Sequence, residues 1–286
     1  MEAQDNGIGS VLEHIGRAIW GLRYSKDGLF SMLTAYHDEG GGEDHGFIIV
    51  SCLVSSVNQW DQFENDWRLL LASHDVPYFH MKQIAHCLGP FAKFKGQEGT
   101  RKRFLAQAAA ILCDRVQRAF SCYVNYDAFE RLNLEYELDK LLNSPYALAG
   151  RGCIAQTNDW RLKESADLDI EYVFDRDGPD VGGLINAVTK LQPYLPAPIF
   201  KPNRDTQIER GVIQLQAADY LAYEMRKWVA DLPKYRTGER QPRISLGLLS
   251  PIPHMWIFED DAHLEGVCRR AGIKRRSAKI GDILET

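Results

Sequence analysis

The sequence predicts an α/β protein, in which a mixed sheet opens with a β-hairpin and carries helices on both faces. Two apolar runs, 30–37 and 46–55, alternate like strands around a polar, glycine-rich connection. A third alternating run follows at 168–175. Between and after these strands, apolar residues recur at helical spacing, and this order of a hairpin followed by alternating helices and strands is typical of a mixed sheet.

The first third of the chain contains the hairpin and two flanking helices. Apolar residues at helical spacing predict an N-terminal helix over 8–24. The hairpin strands follow it. A helix is predicted over 58–72, where aromatic and leucine side chains form one apolar stripe. Residues 73–98 contain several Pro and Gly residues and are predicted to be irregular.

The middle of the chain alternates between helical and strand-like patterns. A helix is predicted from Thr100 to about residue 118, and a strand over 120–126. Residues 127–163 are predicted to be mainly helical, with an interruption near Pro145. The strand 168–175 then places apolar and acidic residues on alternate faces.

The last part begins with a helix predicted at 181–191 and a short strand at 197–200. A long helix is predicted over 208–230. Residues 232–255 are rich in Pro, Gly and Arg, and the chain ends in a short basic stretch.

Composition excludes several classes of protein. The 286 residues carry a net charge of −5, with 45% apolar and 26% charged residues, so the whole molecule is not a cationic nucleic-acid binder. No apolar stretch is long enough to cross a bilayer, and the N-terminus lacks the pattern of a signal peptide. The six cysteines form no Cys-x-x-Cys pair, which favours a reduced, cytoplasmic protein. Without a long apolar stretch, no membrane partner is expected.

Two adjacent carboxylates stand where the first hairpin strand meets its glycine-rich turn. Because side chains alternate along a strand, Asp38 shares a face with Tyr36, whereas Glu39 points to the other face unless the turn redirects it. Asp38 is therefore the stronger candidate for a central position in a functional site. A solvated acidic turn is the simpler alternative explanation of the segment Asp38-Glu39-Gly40-Gly41.

Two later acids occur in settings that could complete a site with Asp38. Asp175 ends a strand, and strand ends in α/β sheets collect functional residues, although Asp before Gly and Pro is also common in turns. Asp219 lies in the middle of a helix, beside its apolar stripe. A partly buried carboxylate there needs a cation, a metal or hydrogen-bond donors, and a salt bridge to Arg226 or another basic residue is the structural alternative.

Three carboxylates from two strands and a helix can converge at one edge of a sheet. Hard divalent cations take such oxygen ligands, and Mg²⁺ or Mn²⁺ held by Asp38, Asp175 and Asp219 would leave room for water and a substrate phosphate. Two ions about 4 Å apart can activate a water and stabilise the leaving oxygen of a phosphodiester.

These residues resemble a known family, the domain-of-unknown-function family 3800. Asp38-Glu39-Gly40-Gly41 after a strand is similar to its Asp-Glu-Ser-Gly opening. The segment IQLQAADYLAY at 213–223 resembles its Leu-Gln-x-Ala-Asp-x-x-Ala-Tyr helix, and Asp175 matches the acid between the two motifs. The similarity spans about residues 30–230, and Gly40 departs from it where the family usually has Ser.

The resemblance implies a ribonuclease H-like fold and a metal-dependent nuclease. Asp38, Asp175 and Asp219 match the core acids by position, with Glu39 as a possible fourth. The corresponding division of the chain is an N-terminal helical extension at 1–29, a ribonuclease H-like domain at 30–231, and a C-terminal loop and basic tail at 232–286.

Further residues are candidates for assisting the site. His80, in an aromatic loop, could contact substrate or transfer a proton, although a packed structural role is the alternative. A basic cluster next to aromatic residues in the 78–103 region could grip a nucleic-acid backbone, or could be an ordinary solvated surface. Its members are Lys93, Lys95, Arg101, Lys102 and Arg103.

The sequence therefore predicts a metal-dependent nuclease or phosphodiesterase with nucleic acid as its partner. Asp38, Asp175 and Asp219 would hold the metal, and Glu39 or His80 would assist with water or the leaving group. Two alternatives stay open: a binding or regulatory module of the same fold without turnover, and a hydrolase of small phosphate esters. The oligomeric state is left open.

Overall fold

A computed structural model describes residues 32–165, 167–259 and 261–270. The helix predicted over 8–24, the segment 1–29 and the basic residues from 271 onward lie outside the described residues. Within them the class is α/β, as predicted: a six-stranded mixed sheet with helices on both faces.

The sheet has the strand order β5-β4-β1-β2-β3-β6. β1 pairs antiparallel with β2, and β2 antiparallel with β3, while the β1–β4, β4–β5 and β3–β6 pairs are parallel. β2 therefore runs against the other five strands. The strands are β1 Met32–Gly42, β2 Phe47–Ser56, β3 Arg118–Asn125, β4 Asp169–Asp175, β5 Ile199–Lys201 and β6 His254–Glu259.

Ten α-helices connect and cover these strands in the described residues. They are α1 Val57–Ser73, α2 Met81–His86, α3 Glu98–Arg115, α4 Tyr126–Tyr136, α5 Asp139–Leu142, α6 Pro145–Glu164, α7 Val181–Leu191, α8 Leu215–Arg236, α9 Ile244–Gly247 and α10 Asp261–Arg270. Short 3-10 turns lie at Glu43–His45 and Gly89–Phe94.

One face of the sheet packs against α1, α3 and α8. The apolar stripe of α1 is buried there, and Trp60 and Trp67 are 2% and 0% exposed. The indole Nε1 of Trp60 donates a hydrogen bond to the Thr34 carbonyl oxygen at 2.9 Å, so the helix is attached to β1 by a polar contact as well as by burial.

The opposite face packs against α4, α6 and α7. β1 contributes Leu33 and Ala35 to this second core, and β4 contributes Tyr172 and Phe174. His37 is also on this side: it stacks on Phe174 with ring centroids 4.0 Å apart, so it faces away from Asp38 as the strand alternation predicts.

The C-terminal third differs most from the sequence prediction. The long helix α8 begins at Leu215 rather than at 208, and it continues past Pro233 to Arg236. The sixth strand, His254–Glu259, pairs with β3 and lies beyond the predicted domain boundary at 231. Its short run follows a stretch rich in Pro, Gly and Arg, and its pairing partner is distant in sequence, so no local pattern indicates it.

Candidate functional site

Asp38 and Asp175 are neighbours on two adjacent parallel strands. In the β1–β4 ladder, Tyr36 is opposite Val173 and His37 is opposite Phe174, so Asp38 and Asp175 are the next residues along each strand. Tyr36 and Val173 belong to the core beneath α8, and alternation brings Asp38 and Asp175 to that same face. Two of the three predicted acids are thus brought together by register.

Asp219 approaches from α8, which packs across β1 and β2. Its Oδ2 accepts a hydrogen bond of 2.6 Å from the backbone N–H of Met81, the first residue of α2. The salt bridge to Arg226 that was the structural alternative is not formed: Arg226 Nη1 instead donates to His45 Nε2 at 2.9 Å.

Glu39 lies close to Asp38 in spite of strand alternation. The Glu39 backbone N–H donates to Asp38 Oδ1 at 2.9 Å. Burial raises the pKa of Glu39 to about 7, and the charges of Asp175 and Asp219 contribute to the rise, while a side-chain hydrogen bond with Asp38 opposes it. The prediction that the strand ends before a glycine-rich turn was wrong here: β1 continues to Gly42, and Glu39 pairs with Val50 inside the strand. Its carboxyl is nevertheless within reach of the other acids.

The four carboxylates lie within electrostatic reach of one another, and the pKa of each is raised, although the charge of Arg204 partly offsets the rise for Asp175 and Asp219. Burial, followed by the charges of Glu39, Asp219 and Asp175, holds the pKa of Asp38 well above its usual range. Burial likewise raises the pKa of Asp219 to about 7 and that of Asp175 above its ordinary value. Within the described residues, none of the four forms a salt bridge with Lys or Arg. The cluster is therefore a place where an added cation would be stabilised.

Carboxylate oxygens are the ligands that a hard divalent ion prefers, so the chemistry of this donor set fits Mg²⁺ or Mn²⁺. In the part of the chain that the structure describes, however, no group of three or more His, Cys, Asp or Glu residues is arranged to hold a metal ion as it stands. The acids make an electrostatic cluster rather than a finished coordination shell. Like charges without a cation repel one another, so ion binding would require the side chains to close in.

The glycine at position 40, where the resemblance predicts serine, has a steric reason. A Cβ at residue 40 would lie 2.8 Å from the Ala222 carbonyl oxygen and 2.9 Å from Arg226 Cβ. α8 thus passes too close to β1 for a serine at this position. The absence of a side chain at residue 40 lets the helix bring Asp219 down to the end of β1.

His80 lies directly before α2, between two backbone groups that are bound to α8. The Phe79 N–H donates to Gln216 Oε1 at 2.9 Å, and the Met81 N–H donates to Asp219. Burial, with the charges of Arg204 and Lys82, lowers the pKa of His80. Its buried Nδ1 has no hydrogen-bond partner among the described residues. Burial and these charges therefore favour the neutral form of His80, which precedes the Met81 N–H that binds Asp219.

The predicted basic cluster is mostly engaged in local contacts. Lys93 pairs with Asp75, and both Arg101 and Lys102 pair with Glu98. Arg101 also donates to the Ala85 carbonyl oxygen at 3.0 Å and so connects α3 to α2. Lys95 and Arg103 are exposed.

The aromatic residues that were expected to join this cluster are core residues. Phe79, Phe91 and Phe94 are between 0% and 4% exposed, so they cannot stack on nucleic-acid bases. Their apolar side chains close the core between α2, α3 and the Gly89–Phe94 turn. Tyr78 alone of the four is half-buried.

Sequence reasoning missed two residues beside the acids. Arg204 is an exposed cation whose charge lowers the pKa of Asp175 and of Asp219. Tyr146 is 2% exposed, and its buried hydroxyl has no hydrogen-bond partner within the described residues. Burial and the charges of Glu39, Asp38 and Asp175 raise the Tyr146 pKa. Tyr146 follows a Ser-Pro helix start, and Arg204 is in a loop, so neither has a local signal of function.

Comparison with known proteins adds no assignment: no protein-family model and no curated protein matches this chain. None of the helices in the described ranges is both long and apolar enough to span a membrane. The case for a function therefore depends on the geometry and charge of the site.

Proposed function

We propose that the protein is a metal-dependent nuclease, which hydrolyses phosphodiester bonds of nucleic acid with Asp38, Asp175 and Asp219 as the metal ligands. The proposal depends on one observation: Asp38, Glu39, Asp175 and Asp219 lie within electrostatic reach of one another, and none of them forms a salt bridge with Lys or Arg in the described residues. Such a cluster costs folding free energy unless a cation binds to it, and costly charge clusters are typical of functional sites.

The fold supports the same proposal. A sheet that opens with a hairpin, continues with parallel strands on the far side of β1 and carries helices on both faces is compatible with a ribonuclease H-like core. Asp38 and Asp175 directly follow the last β1–β4 pair, His37 with Phe174, and Asp175 ends β4 at the edge where functional residues of α/β sheets collect.

Each residue would have a defined task. A divalent ion held by the three Asp carboxylates would supply an activated water and offset charge on the leaving oxygen. Glu39, with a pKa near neutral, is suited to accept or return a proton at physiological pH. His80, whose buried Nδ1 has no hydrogen-bond partner among the described residues, would hydrogen-bond a water or substrate group that enters the site. The Met81 N–H orients the Asp219 carboxylate.

The direct test uses Asp38→Asn and Asp219→Asn, with Asp114→Asn as the control. Asp114 is an exposed acid on α3, so its variant makes the same change of charge away from the cluster. Calorimetry with Mn²⁺ and cleavage of labelled single-stranded RNA and DNA are measured on all proteins. We expect both site variants to lose Mn²⁺ binding and cleavage and the control to keep both. Full activity in both site variants would refute the assignment.

A binding module without turnover is the second candidate. It is favoured by one observation, that no group of potential ligands in the described residues is arranged to hold an ion. If the wild-type protein binds oligonucleotide but not Mn²⁺, and Asp38→Asn leaves oligonucleotide binding unchanged, this candidate replaces the nuclease. Cleavage of free nucleotides or simple phosphate esters, without cleavage of oligonucleotides, would instead indicate a small-phosphoester hydrolase.

A further inference from the structure

Arg204 is an exposed cation placed at the edge of the acid cluster. Its guanidinium carbon lies 5.1 Å from the centre of the Tyr78 ring, a distance at which a cation is attracted to the face of the ring. It forms no salt bridge among the described residues. The Tyr78 ring thus favours this position of the guanidinium, whose N–H donors have no carboxylate partner among the described residues.

The backbone around Arg204 is held in place on two sides. Lys201, three residues earlier, is opposite Asp175 in the β4–β5 ladder. The Asn203 carbonyl oxygen accepts a hydrogen bond of 2.9 Å from Gln216 Nε2 on α8. Gly211 packs directly on the Arg204 backbone, where an added Cβ would come closer than 3.0 Å to three of its atoms. The position of Arg204 is therefore set by the sheet, by α8 and by Gly211.

The charge of Arg204 acts on three groups of the candidate site. It lowers the pKa of Asp175, of Asp219 and of His80, so the guanidinium is within electrostatic reach of all of them. A fixed cation at this distance weakens the binding of a divalent ion, because the two positive charges repel each other. Arg204 therefore disfavours a metal ion and favours an anion in the same place.

We propose that Arg204, oriented by Tyr78, binds a phosphate group of the nucleic-acid backbone beside the acid cluster. The inference rests on the proposed function, since it names the side chain that receives the substrate of the same site. The planar guanidinium presents parallel N–H donors that match two phosphate oxygens. A substrate phosphate placed there would be attracted by Arg204 and kept at the boundary of the carboxylates, where an in-line attack needs it.

Two variants separate phosphate binding by Arg204 from neutralisation of the acids by its charge. Arg204→Gln removes the charge, and Gly211→Ala displaces the Arg204 backbone without changing any charge. Arg210→Gln is the matched control, because Arg210 is exposed in the same loop but pairs with Glu64 at 3.7 Å.

Two quantities are measured on the full chain: Mn²⁺ affinity by calorimetry, and binding of a fluorescein-labelled single-stranded 12-mer in EDTA at several salt concentrations. For Arg204→Gln we expect 12-mer binding to weaken about tenfold and the slope of log affinity against log salt to fall by about 0.7, the value for one phosphate contact on a single strand. Mn²⁺ affinity should stay the same or increase. Gly211→Ala should weaken 12-mer binding in the same direction, and Arg210→Gln should not.

The outcomes distinguish this inference from the function on which it rests. Unchanged 12-mer binding in Arg204→Gln, or a loss of Mn²⁺ affinity in that variant, overturns the phosphate contact while the nuclease proposal stands. A wild-type protein that binds the 12-mer through Arg204 but binds no Mn²⁺ overturns the metal-dependent chemistry and keeps the phosphate contact. A wild-type protein that binds no 12-mer overturns both. If inorganic phosphate or a nucleoside monophosphate displaces the 12-mer at equal concentration, the site takes a small phosphate rather than a nucleic-acid backbone.

Discussion

Near the C-terminal end of β1, two adjacent acids are followed by a position that has no room for a side chain. Asp38 and Glu39 provide adjacent carboxylates, and the next residue has no side chain. The space that Gly40 leaves is filled by the backbone of α8 at Ala222. The acid cluster exists because the strand that bears two acids also allows a helix bearing the fourth to approach.

Replacing Gly40 with Ala should destabilise the protein. The added Cβ would meet the Ala222 carbonyl oxygen at 2.8 Å, and a backbone atom in a packed helix cannot move aside cheaply. We expect the free energy of unfolding, measured in urea, to fall by about 1–3 kcal/mol, as for other overpacked core positions.

The control for this change is Gly182→Ala in the first turn of α7. A Cβ at residue 182 meets no atom within 4 Å, and alanine has the higher helix propensity. This variant should be as stable as wild type or slightly more stable. Equal stability of the two variants would mean that α8 can move away from β1, and the close approach would then not constrain the site.

Among the secondary-structure elements, α8 holds the site together. Its first turn carries Gln216, a buried residue whose amide connects three other segments. The Gln216 side chain accepts hydrogen bonds from Trp67 Nε1 of α1 at 3.2 Å and from the Phe79 N–H at 2.9 Å, and it donates to the Asn203 carbonyl oxygen. One turn later, Asp219 joins the acid cluster. The same helix thus positions the segments that carry His80 and Arg204.

Replacing Gln216 with Leu should therefore be costly although the volume changes little. The change leaves two buried donors and one acceptor without partners, and each such group costs about 1–3 kcal/mol. We expect the free energy of unfolding to fall on the order of 3 kcal/mol. Chemical denaturation provides the measurement.

Gln207→Leu is the matched control, because Gln207 is exposed in the loop before α8. Its effect should stay within about 0.5 kcal/mol, as for most surface substitutions. If Gln216→Leu were as mild as Gln207→Leu, the three segments would be held by apolar packing alone.

For the whole molecule, the acid cluster sets a dependence of stability on pH. The folded protein keeps the Asp219 proton to about pH 7, whereas the unfolded chain releases it near the ordinary value of 3.8. The folded state therefore binds more protons in this range. It follows that the contribution of Asp219 to the free energy of unfolding decreases as the pH rises from about 4 to about 7.

Asp219→Asn should remove this part of the dependence, because asparagine can still accept the Met81 N–H hydrogen bond but does not titrate. In EDTA, we expect the variant to match wild type near pH 4 and to be more stable on the order of 2 kcal/mol at pH 8. Urea unfolding of both proteins across this range tests it. Parallel curves would mean that neither burial nor the neighbouring acids raise the pKa of Asp219 in the folded protein.

Much of the fold follows from local patterns in the sequence. The second hairpin strand and the strand that ends at Asp175 have clear apolar periodicity, and they were predicted within one residue of their actual bounds. β1 continues five residues beyond its predicted end, to Gly42, and α8 covers 215–236 rather than 208–230. The alternation of side chains along β1 correctly separated His37 from Asp38, because a strand has a strict period of two.

Other features depend on contacts between distant segments. The strand β6 is defined by its pairing with β3, and the aromatic residues near His80 are buried by helices that come later in the chain. Tyr146 and Arg204 approach the acids from a helix and a loop whose local sequences resemble ordinary structural segments. Their roles could not be predicted because burial and proximity are properties of the assembled protein.

By itself, the sequence determined which acidic residues are candidates for one site. Asp38, Glu39 and Asp175 stand at predicted strand ends, and Asp219 is an acidic residue beside the apolar stripe of a helix. Only the tertiary structure decided that these acids lie within electrostatic reach of one another without a salt bridge in the described residues, and that Arg204 is the cation beside them. The physical reason is that periodicity is local, whereas electrostatic coupling depends on distances in space, which strand register and the approach of α8 to Gly40 establish.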